Sequence, residues 1–222
     1  MLRRTLAIAA LAATAFGAQG WMGRQYLHFK EELVTVEYTG SANEANLIFE
    51  AEVEEPLDRL EIRDPFGEQV IYLRARGGIG GNLSGLKLES GELELETLLD
   101  DYPEGYYVFR GRTVSGHPVE GSAFFSHRMI RPPKIHHPQP LQSVSATESL
   151  LLSWEPDPGA ISYHIGLEQD GNDGLTVDLP AGSSSFLVPP GMLRPNTETF
   201  FEVGAKSTGG NISLNEVAFQ TH

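Results

Sequence analysis

The sequence predicts an all-β chain of two tandem β-sandwiches behind an N-terminal export signal. Three observations carry that expectation. Apolar and polar residues alternate over long stretches, as in Val34-Thr35-Val36-Glu37-Tyr38, the period-two pattern of half-buried strands. Turn chemistry recurs at short intervals, in Asp64-Pro65-Phe66-Gly67, Ser115-Gly116-His117-Pro118 and Asp170-Gly171-Asn172-Asp173-Gly174. The length, 222 residues, leaves room for two small domains once the start is set aside.

Residues 1–20 have the form of a signal peptide. Arg3 and Arg4 supply a charged start, Leu6 to Phe16 an apolar Ala-rich run too short to span a bilayer, and Ala15-Phe16-Gly17 and Ala18-Gln19-Gly20 the small residues around a cleavage point. An uncleaved anchor is the rival reading, disfavoured by that short run. No later segment is long and apolar enough to cross a membrane, so the sequence predicts a periplasmic or secreted chain. The formal charge is −14, and it becomes more negative still if Arg3 and Arg4 leave. A charge of that sign argues against nucleic acid or anionic lipid as partners. There is no cysteine, which excludes disulfides, thiolate metal sites, a Cys nucleophile and Cys lipidation. The cores alone must hold the domains.

Trp21 to Lys30 reads as a short leader. The first domain is expected at 31–130. Val34, Val36 and Tyr38 make one strand face; Leu47, Phe49, Ala51 and Val53 make the next, against an acidic outer face; Leu60 and Ile62 a third. After the Asp64–Gly67 turn, Val70 to Leu73 returns, and the Gly-rich run Gly77 to Gly85 precedes Leu86-Lys87-Leu88. Leu93, Leu95, Leu98 and Leu99 break the period-two rule and predict a helical turn that Pro103 ends. Tyr106 to Val114 and Val119 to Ser126 close the domain as a hairpin. About seven strands with turns at this spacing fit an immunoglobulin-like sandwich, and Tyr102-Pro103-Glu104-Gly105-Tyr106-Tyr107 resembles the entry to the penultimate strand of bacterial immunoglobulin-like domains.

Residues 131–140 carry Pro132, Pro133, Pro138 and Pro140, which predicts an extended, semi-rigid linker. The second domain is expected at 141–222, with strands at Gln142–Ala146, Ser149–Trp154, Ser162–Glu168, Leu175–Leu179, Ser184–Val188, Thr197–Lys206 and Leu214–Gln220. Trp154 on an early strand, Tyr163 on the next, and Leu193-Arg194-Pro195-Asn196-Thr197 before Phe200-Phe201-Glu202-Val203 resemble a fibronectin type III module. That likeness implies a spacer or binding platform more than a catalyst. One position departs from it: Thr199 stands where the family places a corner tyrosine, with Phe200 filling part of the gap, so the resemblance does not extend to the corner's hydroxyl hydrogen bond.

No constellation in the sequence makes an enzyme. His136 and His137 are adjacent in an extended chain and point apart, and His117, His127 and His164 have no partner at ligand spacing. Asp170 to Gly174 offers hard oxygens for Ca²⁺, but its fifth position is Gly174 and no Glu stands at the twelfth, so a tight turn is the stronger reading. Gly77-Gly78-Ile79-Gly80-Gly81-Asn82 lacks the spacing and following helix of a phosphate loop. There is no Gly-x-Ser-x-Gly, Ser-x-x-Lys or His-Glu-x-x-His, and the many carboxylates sit on outer strand faces. Tyr106, Tyr107, Phe109, Phe124 and Phe125 crowd two strands; core packing is the favoured reading, with an exposed aromatic patch the alternative. The sequence therefore predicts a non-enzymatic module that binds a protein or a glycan, without cofactor, metal, catalytic residue or nucleic-acid partner, and leaves open an accessory or hydrolytic role on polysaccharide.

Overall fold

The computed structural model describes residues 26–75, 83–170 and 172–222. The expected signal, most of the Gly-rich run, and Gly171 lie outside the described residues. The chain divides into two compact units. One holds the described part of the segment ending at Thr35 together with Asn46–His127. The other holds Val36–Ala45 and Arg128–His222.

In chain order the first elements are β1 (Glu31–Thr39), β2 (Glu44–Arg63), β3 (Gln69–Arg74), β4 (Leu83–Glu89), α1 (Leu95–Asp101), β5 (Gly105–Thr113) and β6 (Pro118–Phe125). The strands expected around Leu47–Val53 and Leu60–Ile62 are one long strand, β2. Pro56 lies in its middle, where the pairing slips: Ile48–Glu52 face β4, and Arg59–Arg63 face β3 on one edge and β5 on the other. Proline cannot donate to a ladder, so it produces a bulge here rather than a chain reversal. Alternation along these strands drives Leu60, Ile62, Tyr107, Phe109, Val119 and Phe125 inward. Their rings meet edge to face, Tyr107 with Phe125 at 6.0 Å and with Phe49 at 5.8 Å, and Phe29 with Phe109 at 5.9 Å. Phe29 reaches that depth because residue 121 is glycine; a Cβ there would stand 3.0 Å from the Phe29 ring and 2.7 Å from Glu32 Oε1. Helix α1 buries Leu98 and stops at Tyr102, the residue before Pro103.

The other unit adds β7 (Ile135–His137), β8 (Ser143–Val144), β9 (Leu150–Trp154), β10 (Ala160–Gln169), β11 (Asn172–Pro180), β12 (Ser185–Val188), β13 (Glu198–Ser207) and β14 (Ile212–Thr221). Strands β11-β10-β13-β14 form one antiparallel layer and β12-β9-β7 the other. Their inner faces share one core of Leu152, Trp154, Tyr163, Ile165, Phe201, Val203 and Phe219, among others. Two sheets on one core make this unit a β-sandwich, the architecture that its resemblance to a type III module implied. The proline-rich stretch differs from the expected spacer. Ile135 pairs with Trp154 and His137 with Ser153, so Ile135–His137 is an edge strand of the sandwich, and proline is tolerated beside it because an edge strand leaves donors unpaired.

A second departure concerns the boundaries. Val36–Ala45 belongs with the sandwich, not with the first unit. Glu37, Tyr38 and Thr39 run parallel to Ile212, Ser213 and Leu214. The fully buried Asn211 accepts from Val36 N through Oδ1 (2.9 Å) and donates from Nδ2 to Arg128 O (3.3 Å). Further along β14, β8 pairs with Gln220 and Thr221, and Leu141 N donates to Ala218 O. An edge strand that would otherwise offer a free ladder is thus covered along most of its length. The corner without tyrosine is solved by other polar groups. Gln169 Nε2 donates to Thr199 Oγ1 at 2.7 Å, its Oε1 accepts from Arg194 N at 2.9 Å, and Thr221 Oγ1 is 2.6 Å from Arg194 O. Gln169, Thr199 and Thr221 are all buried, and the network keeps each buried polar group partnered.

Candidate functional site

The outer face of β3-β2-β5-β6 is the most distinctive surface among the described residues. Register fixes its layout, because every second residue of each strand points the same way. Tyr72, Glu61, Arg110 and Glu120 lie side by side in one row across the four strands. The adjacent row is Arg74, Arg59, Arg112 and Pro118. On the other side come Arg63, Val108 and Ser122, then Tyr106 beside Phe124. Their neighbours in sequence are the inward residues of the core. An Arg and Tyr face outside a Leu, Ile and Phe face is the ordinary consequence of alternation; the concentration of arginine is not.

A groove of about 400 Å³ crosses this face. Tyr26 stands on one side and Tyr72 on the other, with Arg59, Glu61, Arg110 and Glu120 between. Tyr26 is brought there by a short parallel pairing: Leu27 N donates to Pro118 O at 3.0 Å, and Glu120 N to Leu27 O at 3.1 Å. Both rings are about half exposed, 47% for Tyr26 and 50% for Tyr72. Arg110 Nε holds Glu120 at 2.9 Å, and Arg63 Nη2 holds Glu61 at 2.5 Å. Arg59, Arg74 and Arg112 form no ion pair among the described residues. Five guanidinium groups against two carboxylates leave this face positive in a chain whose net charge is −14.

The aromatic residues expected mainly in the core divide by strand face. Tyr107, Phe109 and Phe125 are fully buried, whereas Tyr106 (62%) and Phe124 (47%) face solvent. The exposed pair touches edge to face, with ring centroids 5.1 Å apart. This pair is the exposed aromatic patch that the sequence offered as the alternative to core packing.

Sequence spacing missed one other cluster. Glu55 and the β5–β6 turn come together although separated by about sixty positions. Ser115 Oγ donates to Glu55 Oε1; His117 Nδ1 lies 3.0 Å from Ser115 Oγ and 3.5 Å from Glu55 Oε2; Thr113 Oγ1 is 3.1 Å from Ser115 Oγ. The Ser115 hydrogen bond, then that of His117, holds the Glu55 carboxyl below its usual range. The types match a nucleophile, a base and an acid, but the geometry does not. A relay has the hydroxyl on one ring nitrogen and the carboxylate on the other; here both meet Nδ1, and the hydroxyl proton points at Glu55. His117 is 61% exposed and the half-buried Glu55 31%. Their hydrogen bonds tie the turn to β2.

Four of the remaining histidines have polar partners, His28 Nδ1 lying 3.3 Å from Glu120 O. Among them, buried His164 pairs through Nδ1 with Asp178 at 2.8 Å, His127 Nε2 lies 2.8 Å from Tyr102 O, and His222 Nδ1 lies 2.8 Å from Ser143 Oγ. No group of three His, Asp or Glu residues arranged to hold a metal ion occurs among the described residues. Asp170 has φ 53° where Gln169 pairs with Asn172, and its carboxylate lies 2.9 Å from Arg194 Nη1. The chain therefore reverses between Gln169 and Asn172, a shorter turn than the expected Asp170–Gly174, because Asn172–Gly174 already belongs to β11. No helix among the described residues is long and apolar enough to cross a membrane.

No protein-family model matches the chain, and no curated protein matches it. Solved structures do overlap with it. Fibronectin(III)-like modules of CbhA from Clostridium thermocellum share 11% identity over 87% of this chain and 93% of theirs, with a TM-score of 0.34. The FN1–FN3 domains of chicken CNTN1 share 10% over 88% and 65%, at 0.36. A two-domain fibronectin type III segment of chicken tenascin shares 14% over 86% and 96%, at 0.31. At overlaps this low the chain is described by its own elements: among the described residues, strands with one short helix, α1, and a two-layered β-sandwich as the C-terminal unit.

Proposed function

We propose that the protein is an exported, non-enzymatic binding module that recognises a glycan through the outer face of β3-β2-β5-β6. The observation that carries this is the groove between Tyr26 and Tyr72. Two half-exposed rings flank a floor of hydrogen-bonding side chains, the mixture that sugars require: C–H faces stack on aromatic rings, and hydroxyls pair with Arg and Glu. Export is supported by the charged and then apolar start of the chain, and places the module in the periplasm or outside the cell. A non-catalytic role is supported by the engagement of Glu61 and Glu120 with guanidinium groups on a single open face.

The test is affinity electrophoresis of the full chain through gels containing individual soluble polysaccharides. Retardation by at least one polysaccharide is expected, with Tyr72→Ala weakening it about three- to tenfold at an unchanged melting temperature. Equal retardation of wild type and Tyr72→Ala would remove the groove from the account.

A further inference from the structure

We infer that the glycan taken by this face is acidic, a polysaccharide whose sugar units carry carboxylates. This rests on the glycan reading and adds the class of ligand. Positive charge is scarce in the chain, 16 Lys and Arg against 30 Asp and Glu, yet five arginines share one sheet face. Their placement is costly. Arg74 pairs in register with Arg59, and Arg59 with Arg112, so three guanidinium groups follow one another on strands about 5 Å apart. Like charges directly opposite destabilise a sheet. No carboxylate relieves Arg59, Arg74 or Arg112 among the described residues, although the neighbouring row shows that this face can supply one, as Glu120 does for Arg110. An anion from outside the chain resolves that repulsion. The planar fork of arginine suits a carboxylate, which it can hold through two parallel hydrogen bonds.

The same face argues against a densely charged strand. Glu61 and Glu120 lie in the row beside the three arginines. They would repel closely spaced phosphates, whereas a sugar chain offers them hydroxyl donors between its carboxylates. The chain's overall negative charge opposes any anion at long range, but the Debye length is about 8 Å in physiological salt. Contacts within the row therefore act while distant carboxylates are screened, and recognition is short-ranged, with stacking on Tyr26 and Tyr72 adding to it.

Isothermal titration of the full chain tests this with defined probes: de-esterified polygalacturonate, the same polymer fully methyl-esterified, a neutral β-glucan, poly-glutamate, and vesicles containing phosphatidylserine. De-esterified polygalacturonate is expected to bind about tenfold or more tightly than its ester. The double variant Arg74→Gln/Arg112→Gln, checked for a melting temperature that is not lowered, should lose that preference, the acid then binding no more tightly than the ester. If ester and acid bind alike and the variant changes neither, the acidic class is wrong while the glycan reading stands. Should none of the three glycans bind, both fail. Tighter binding of poly-glutamate or of the vesicles than of polygalacturonate would likewise overturn the inference, in favour of a protein or a membrane partner.

Discussion

Trp154→Ala is expected to destabilise the C-terminal sandwich by about 3–5 kcal/mol, the usual cost of emptying an aromatic site in a packed core. The indole is 2% exposed and lies between the two layers, with ring centroids 5.7 Å from Tyr163 on β10 and 6.4 Å from Phe201 on β13. Its removal opens a cavity against the opposite sheet, and rigid strands on both sides limit collapse. A second variant sharpens the expectation. The Trp154 Nε1 hydrogen is buried without an acceptor among the described residues, so Trp154→Phe deletes an unsatisfied donor along with some volume and should cost clearly less than Trp154→Ala. Chemical denaturation measures both. An unchanged midpoint for Trp154→Ala would mean that β9 does not face the core.

Phe109→Ala is expected to cost the other unit about 3–5 kcal/mol, and its neighbour Arg110 almost nothing when replaced by alanine. Phe109 is fully buried against Phe29, while Arg110 on the same strand points out to the groove and holds Glu120. An exposed ion pair contributes about 0–1 kcal/mol. The contrast between adjacent positions tests the alternation on which the binding face depends. Equal losses from the two substitutions in urea melts would mean that the strand faces are assigned wrongly.

How far sequence led to structure depended on whether information was local. Alternation is local, and it set Leu152 and Trp154 on one strand face and Phe201 and Val203 on another, the faces that the core uses. The helical turn around Leu98 and its end before Pro103 were legible for the same reason. The runs Leu47–Val53 and Leu60–Ile62 read as separate strands because alternation is interrupted between them, whereas a long strand with partners changing along its length absorbs that interruption, with Pro56 in it, as a bulge. The prolines of 131–140 misled similarly: an edge strand and an extended linker have the same backbone preference, and only the pairing of Ile135 with Trp154 distinguishes them. The adoption of Val36–Ala45 by the sandwich rests on pairing with β14 and on the Asn211 side chain, both far away in sequence.

The binding face was the least legible part. Arg59, Arg74 and Arg112 come from three strands, and each alone is an ordinary outward residue. They become a row only when register sets them opposite one another. The aromatic patch was half legible, since alternation put Tyr106 opposite Tyr107, but exposure on that side needed the tertiary structure. The corner network shows the reverse case. A missing tyrosine was visible at Thr199, while its replacement by Gln169 and Thr221 was not, because those partners arrive from other strands.

Amide chemical-shift mapping during titration with a de-esterified galacturonate oligomer examines the central claim most directly. Perturbations are expected at Arg59, Glu61, Tyr72, Arg110, Arg112 and Glu120, along the outer rows of β2, β3, β5 and β6. Shifts confined instead to the open edge of β11, or to the Glu55–Ser115–His117 turn, would contradict it.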